Sequence, residues 1–121
     1  MNLRSFQLSD CEKVTNLLKE ELSDTCYKKT IRVFSKQLSY DSDLVVIAED
    51  AQEVVGVIIG SIENNQGQYI LTEHPDYERN DIGKNLVNEL KERFTQRKVE
   101  IHISVNTVKF KKEQEYDAVG L

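Results

Sequence analysis

The chain has 121 residues, 39% of them hydrophobic and 31% charged, which suits one domain built on a single core and excludes a disordered chain or a collagen-like repeat. Sixteen basic residues against twenty-one acidic ones leave a formal net charge of −5, the wrong sign for gripping a phosphate backbone, so no nucleic acid is expected as a partner. No apolar run approaches the ~18 residues of a bilayer span, and the N-terminal MNLRSFQLSDCEK has no apolar signal core, so neither membrane nor export is expected.

In chain order, Asn2 to Leu8 alternates through Leu3, Phe6 and Leu8 and predicts a short first strand. Ser9 with Glu12 forms an S-x-x-E capping box at a helix start. Cys11, Val14, Leu17, Leu18 and Leu22 then fall on one helical face, and Ser23-Asp24-Thr25 breaks that helix and can cap the next. Tyr27, Ile31, Phe34 and Leu38 carry a second amphipathic helix to about Tyr40. Two cysteines, Cys11 and Cys26, make no disulfide framework, no Cys/His cluster has zinc spacing, and a reducing cytoplasm is the expected compartment. Cys26 stands at a helix start, where thiolate character can rise, but no base is visible beside it.

From Leu44 the pattern turns to β. Leu44 to Ala48 and Val54 to Ile59 are β-branched runs about Asp50-Ala51-Gln52, two antiparallel strands joined by a tight turn. Asn64-Asn65-Gln66-Gly67 is the next turn, and Gln68 to Glu73 is a third strand stopped by His74-Pro75. Ile82, Leu86, Val87, Leu90 and Phe94 form the stripe of a further helix with Arg93, Arg97 and Lys98 at its C-terminal end. Val99 to Val105 alternates as a strand, its His102 sharing a face with Glu100 and Ser104. Val108 to Val119 is a weak helix with Gly120 as a C-cap. Lys109, Lys111 and Lys112 form the one dense basic patch, and Glu113 and Glu115 beside them mark it as a solvated helix face. The order βααβββαβα predicts an α+β (mixed α/β) fold, with helices covering a largely antiparallel sheet, in one domain over residues 1–121.

The loop before the Ile82 helix has a chemistry of its own. Consecutive free N–H groups at the positive end of a helix dipole make an anion site, and a small residue there lets a phosphate approach the backbone. Gly83 is small, and Arg79 and Lys84 add positive charge. The residues alone also allow a plainer reading, with Asn80 or Asp81 an ordinary N-cap and Gly83 a packing residue.

Three patterns in this order resemble the GNAT superfamily of acetyl-CoA-dependent N-acetyltransferases over nearly the whole chain. Glu53-Val54-Val55-Gly56-Val57-Ile58-Ile59-Gly60 looks like that family's third strand. His74 through Leu86, with Pro75, Tyr77 and Ile82-Gly83-Lys84, falls on its pyrophosphate loop. Tyr116-Asp117-Ala118-Val119-Gly120-Leu121 is similar to its FYEKLGF ending. The resemblance implies a GNAT-like sheet lacking the final hairpin and acetyl-CoA as cosubstrate. It implies a cofactor site at Leu71, Glu73, Arg79, Asn80, Asp81, Ile82, Gly83 and Lys84. Tyr116 is then the acid for the departing thiolate, Glu73 a base acting directly or through water, and the N–H of Glu73 or Leu71 the oxyanion donor. As residues, Tyr116 equally suits packing of the last helix and Glu73 a solvated strand end.

The implied activity is acetyl transfer to a primary amine of a small molecule or protein, with acceptor choice made by the region Ser9 to Tyr40; Glu12, Glu20, Glu21, Asp24 and the adjoining Asp41 would favour a cationic acceptor, and as residues they equally suit a solvated face. Where the family carries Gln or Arg and then glycine, this loop has Glu78 and Asp81. A carboxylate at Asp81 is expected to occupy the N–H groups meant for the pyrophosphate and to repel it. Those two residues, Lys109 and Lys112 motivate an alternative: a non-catalytic GNAT-like module that binds CoA weakly or not at all. In it the strand Val99 to Val105 offers an edge that a second copy could cover as a homodimer.

Overall fold

A computed structural model describes residues 2–64, 66–97 and 100–101. Its elements are β1 (Asn2–Ser5), α1 (Cys11–Glu21), α2 (Asp24–Tyr40), β2 (Val45–Asp50), β3 (Glu53–Glu63), β4 (Gln66–Glu73), α3 (Ile82–Gln96) and β5 (Glu100–Ile101). They form one sheet in the order β1-β2-β3-β4-β5. β1 to β4 pair antiparallel, and β5 joins β4 in parallel through Gln66 with Glu100 and Gly67 with Ile101. The mixed fold with a mostly antiparallel sheet is therefore as expected from the β-branched runs.

Alternation along the strands divides the core in two. Val45, Ile47, Val57 and Ile59 meet α1 and α2 on one face, where Phe6 and Phe34 stack edge to face at 5.4 Å. Val46, Ala48, Ile58 and Leu71 meet Ile82, Leu86, Leu90 and Phe94 of α3 on the other. At its C-terminal half α3 is seated closely, since a Cβ on Gly67 would come within 2.8 Å of the Phe94 ring. Arg93 donates to Ser5 Oγ and the Asp43 carbonyl, and Arg97 binds the Asp41 carboxylate at 2.6 Å. These bonds fix the helix so that its first turn abuts the end of β4.

Several boundaries depart from the sequence pattern. β1 stops at Ser5, because the chain turns into a 3-10 turn at Leu8–Asp10, which leaves Leu8 86% exposed. The carboxylate returning to a free backbone N–H is Asp10, accepting from Gln7 at 2.8 Å, in place of the Ser9–Glu12 box. Cys11, expected on the apolar face of α1, is exposed, because the 3-10 turn draws its neighbour Asp10 inward instead. Ser23 does cap α2, accepting from the Cys26 N–H at 3.2 Å. The Val99 to Val105 strand lies within the described residues only as β5, and the Val108 to Val119 helix with Gly120 lies outside them.

Arg4 chelates Asp10 with two bonds of 2.7 Å and reaches Glu49 at 2.8 Å, tying β1 to the start of α1 and to β2. The Arg4 guanidinium holds the Asp10 carboxyl below its ordinary value, burial opposes this, and the Gln7 N–H adds to the lowering. A lowered carboxyl contributes stability that is full above the ordinary carboxylate range and is lost as pH falls through the folded value. Thermal denaturation against pH should therefore show a loss confined to acid below that range. Asp10→Asn should cost about 1–2 kcal/mol at neutral pH and flatten the acid loss.

Candidate active site

Tyr69 and Leu71 of β4 pack with the α3 side of the core, and alternation puts Glu73 on the same side. The Glu73 side chain is 1% exposed, so the solvated strand end expected of it is not what forms. It lies against the first turn of α3: a Cβ built on Gly83 would stand 2.3 Å from Glu73 Oε1 and 3.0 Å from Leu71 Cδ2. Any larger residue at position 83 must displace the Glu73 carboxyl and the end of the Leu71 side chain, which fill the space between strand and helix.

The connection from β4 to α3 is short and bonded to itself. A register slip between Ala48 and Glu49 passes over Val55 in the β2–β3 ladder, and the Val55 carbonyl accepts the His74 N–H at 2.8 Å. His74 Nδ1 accepts the Asp76 N–H at 3.2 Å at the head of a 3-10 turn over Pro75–Asn80. That bond requires a bare Nδ1, so in this arrangement the ring carries its proton on Nε2 and presents a donor there. Its ring meets Tyr77 edge-on at 5.8 Å.

Asp81 corrects the expectation set for it. Its φ of 56° and ψ of 23° are left-handed, and its side chain makes no capping bond to α3. The regular ladder begins with the Asn85 N–H on the Asp81 carbonyl at 3.0 Å, so the N–H groups of Ile82, Gly83 and Lys84 precede it. The first turn holds no acidic residue. The backbone of Arg79 and Asn80 belongs to the 3-10 turn, while their side chains and that of Glu78 lie outside what is described.

Two clefts open at the end of β4. The first, of about 470 Å³, lies on the α3 side and is lined by Leu71, Glu73, Asp81, Gly83 and Lys84. The structure thus brings together five of the expected cofactor residues, while Ile82 is wholly buried in the core. Val87, Asn88 and Lys91 also line it, and the sequence reading passed over their part in a site. With Lys84 they follow an i, i+3, i+4, i+7 spacing that marks one helical face.

The second cleft, of about 370 Å³, lies on the α1 side between Asn16 and Glu20 of α1, Glu53 of β3, and His74, Asp76 and Tyr77 of the connection. The nearby Asp50 carboxylate, and then desolvation, hold the Tyr77 phenol above its ordinary value. Of these residues only Glu20 stood among the expected acceptor carboxylates. Tyr116, His102, Lys109 and Lys112 lie outside the described residues. Among the described residues no group of three His, Cys, Asp or Glu could hold a metal, and no helix is long and apolar enough to cross a membrane.

Comparison with known proteins bears on what these clefts serve. The acetyltransferase (GNAT) domain model matches residues 8–120. Acetyltransferase SG1711 of Sodalis glossinidius is 32% identical over 98 residues, covering 80% of this chain and 69% of that protein. Acetyltransferase plu1384 of Photorhabdus laumondii is 29% identical over 99 residues, covering 80% and 68%. Among solved structures, the PaiA N-acetyltransferase of Thermoplasma acidophilum in complex with coenzyme A superposes with a TM-score of 0.63 at 14% identity, over 98% of this chain and 86% of that one. The apo aminoglycoside 6'-N-acetyltransferase AAC(6')-Ig of Acinetobacter haemolyticus gives the same score at 11% identity, over 100% and 89%.

Proposed function

The chain belongs to the GNAT acetyltransferase family, and from that premise we propose that it transfers an acetyl group from acetyl-CoA to a primary amine of a small molecule or peptide. The observation that carries this reading is the α3-side cleft, where a helix N-terminus with no acidic first turn meets a buried carboxyl at the end of β4. The residues suit a pyrophosphate. The N–H groups of Ile82, Gly83 and Lys84 precede the helical ladder, no side-chain cap from Asp81 occupies them, and Lys84 adds a cation. Bound there, acetyl-CoA supplies an activated acetyl thioester.

The remaining roles belong to the protein. Glu73 takes the proton that the amine must lose, directly or through water, and its burial keeps the carboxyl in one place. The N–H of Glu73 or Leu71 donates to the developing oxyanion, and Tyr116 returns a proton to the departing sulfur, both roles following the family resemblance. The amine enters from the α1 side. There Glu20, Glu53 and Asp76 attract a cation, and His74 Nε2–H is a donor for an acceptor oxygen. The test is to incubate the purified protein with acetyl-CoA and separate diamines, aminoglycosides and peptides, following free thiol and product mass. Amine-dependent thiol release with a product heavier by one acetyl group supports the reading. Thiol release no faster than hydrolysis with every amine overturns it.

Asp81 offers a sharper electrostatic test. Since its carboxylate makes no cap, replacing it removes a left-handed non-glycine residue without losing a bond. Asp81→Gly should leave the melting temperature unchanged or raise it by the equivalent of up to about 1 kcal/mol. It should also tighten acetyl-CoA binding by about fivefold at low salt through loss of a like-charge neighbour, and the gain should shrink at high salt. Calorimetric titration of both proteins at two ionic strengths, with their melting curves, checks each part.

A further inference from the structure

We propose that Lys91, with Asn88 beside it, holds the 3′-phosphate of the donor's ribose, so that the protein distinguishes coenzyme A from dephospho-coenzyme A; this rests on the donor reading above. The α3-side cleft does not end at the pyrophosphate cradle. It continues along the helix from Lys84 past Val87 and Asn88 to Lys91. The basic residues of α3 and its C-cap divide into two groups. Arg93 and Arg97 are engaged by Glu89, Ser5, Asp41 and Asp43 and fasten the helix to the sheet. Lys84 and Lys91 line the cleft, and neither ammonium has an ion pair or hydrogen bond among the described residues. Lys91 is also half-buried, which places in the cleft a cation with no counter-ion among the described residues.

Seven residues of helix separate the two lysines by about 10 Å along the axis. Lys91 is too far from the first turn to share the phosphates held there, so it addresses a different anion. The donor carries one more, the 3′-phosphate, on the same nucleotide as the pyrophosphate. Asn88 lies between the two cations on the same face, where its amide can donate to a phosphate or ribose oxygen. Lys84 serves the cradle and Lys91 the far end.

The test is calorimetric titration of the wild-type protein and Lys91→Gln with coenzyme A and with dephospho-coenzyme A, at low and high salt. The wild type should bind coenzyme A about fivefold more tightly, a preference that weakens at high salt. Lys91→Gln should lose that preference because its affinity for coenzyme A alone falls, and Lys91→Arg should keep it. Equal wild-type affinity for the two ligands, or an equal weakening of both by Lys91→Gln, overturns the assignment. Binding of neither ligand at millimolar concentration overturns the donor reading itself, and the assignment with it.

Discussion

Gly83→Val is expected to damage stability and donor binding together. The sequence suggests that valine would crowd a ligand while sparing the fold, but a Cβ at this position lands 2.3 Å from Glu73 Oε1 and 3.0 Å from Leu71 Cδ2. Both neighbours are buried and line the α3-side cleft, so making room means pushing the carboxyl and the leucine methyl out of their packed positions into that cleft. Overpacking of this kind costs about 2–3 kcal/mol after the better helix propensity of valine is counted, or roughly 10 °C in melting temperature for a domain of this size. Gly83→Ala, which adds the Cβ alone, should carry most of that loss. Relief requires β4 and α3 to separate, which distorts the cradle and weakens acetyl-CoA binding. Melting curves and titration of the three proteins check this, and a valine variant with wild-type stability would place Glu73 elsewhere.

Glu73→Gln should retain the fold and lose the chemistry. The amide fills nearly the same volume beside Gly83 but cannot take a proton. kcat should fall by about a hundredfold or more, with the KM for acetyl-CoA little changed. The deficit should shrink as pH rises toward the pKa of the acceptor amine, since the free base then arrives unaided. Loss of thermal stability without that pH dependence would assign Glu73 a packing role, and unchanged kcat would remove it from the reaction.

The strands and helices were legible because their signals are local. β-branched runs gave β2 and β3, and the Ile82 to Phe94 stripe gave α3. Tyr27, Ile31, Phe34 and Leu38 carried α2 to Tyr40 as expected. What escaped depends on contacts distant in sequence or on backbone angles. Glu73 reads as a strand-end carboxylate until α3 folds back over it, and Cys11 reads as core until Arg4 draws Asp10 inward. Asp81 is a good capping residue by type, and only its left-handed φ shows that it takes the conformation of a glycine there. Lys84, Asn88 and Lys91 stand at helical spacing, but that spacing carries no meaning until the cleft beside them is seen. The second cleft combines α1, β3 and the β4–α3 connection, three segments whose meeting no local pattern encodes.

The most direct measurement is calorimetric titration of the purified protein with acetyl-CoA. The cleft and a first turn of α3 that the Asp81 side chain does not cap predict saturable binding with a micromolar dissociation constant, weakened by salt, and weakened further by Lys84→Gln. No heat of binding at millimolar acetyl-CoA would contradict a donor site at the α3 N-terminus and leave the chain as a GNAT fold used for another purpose.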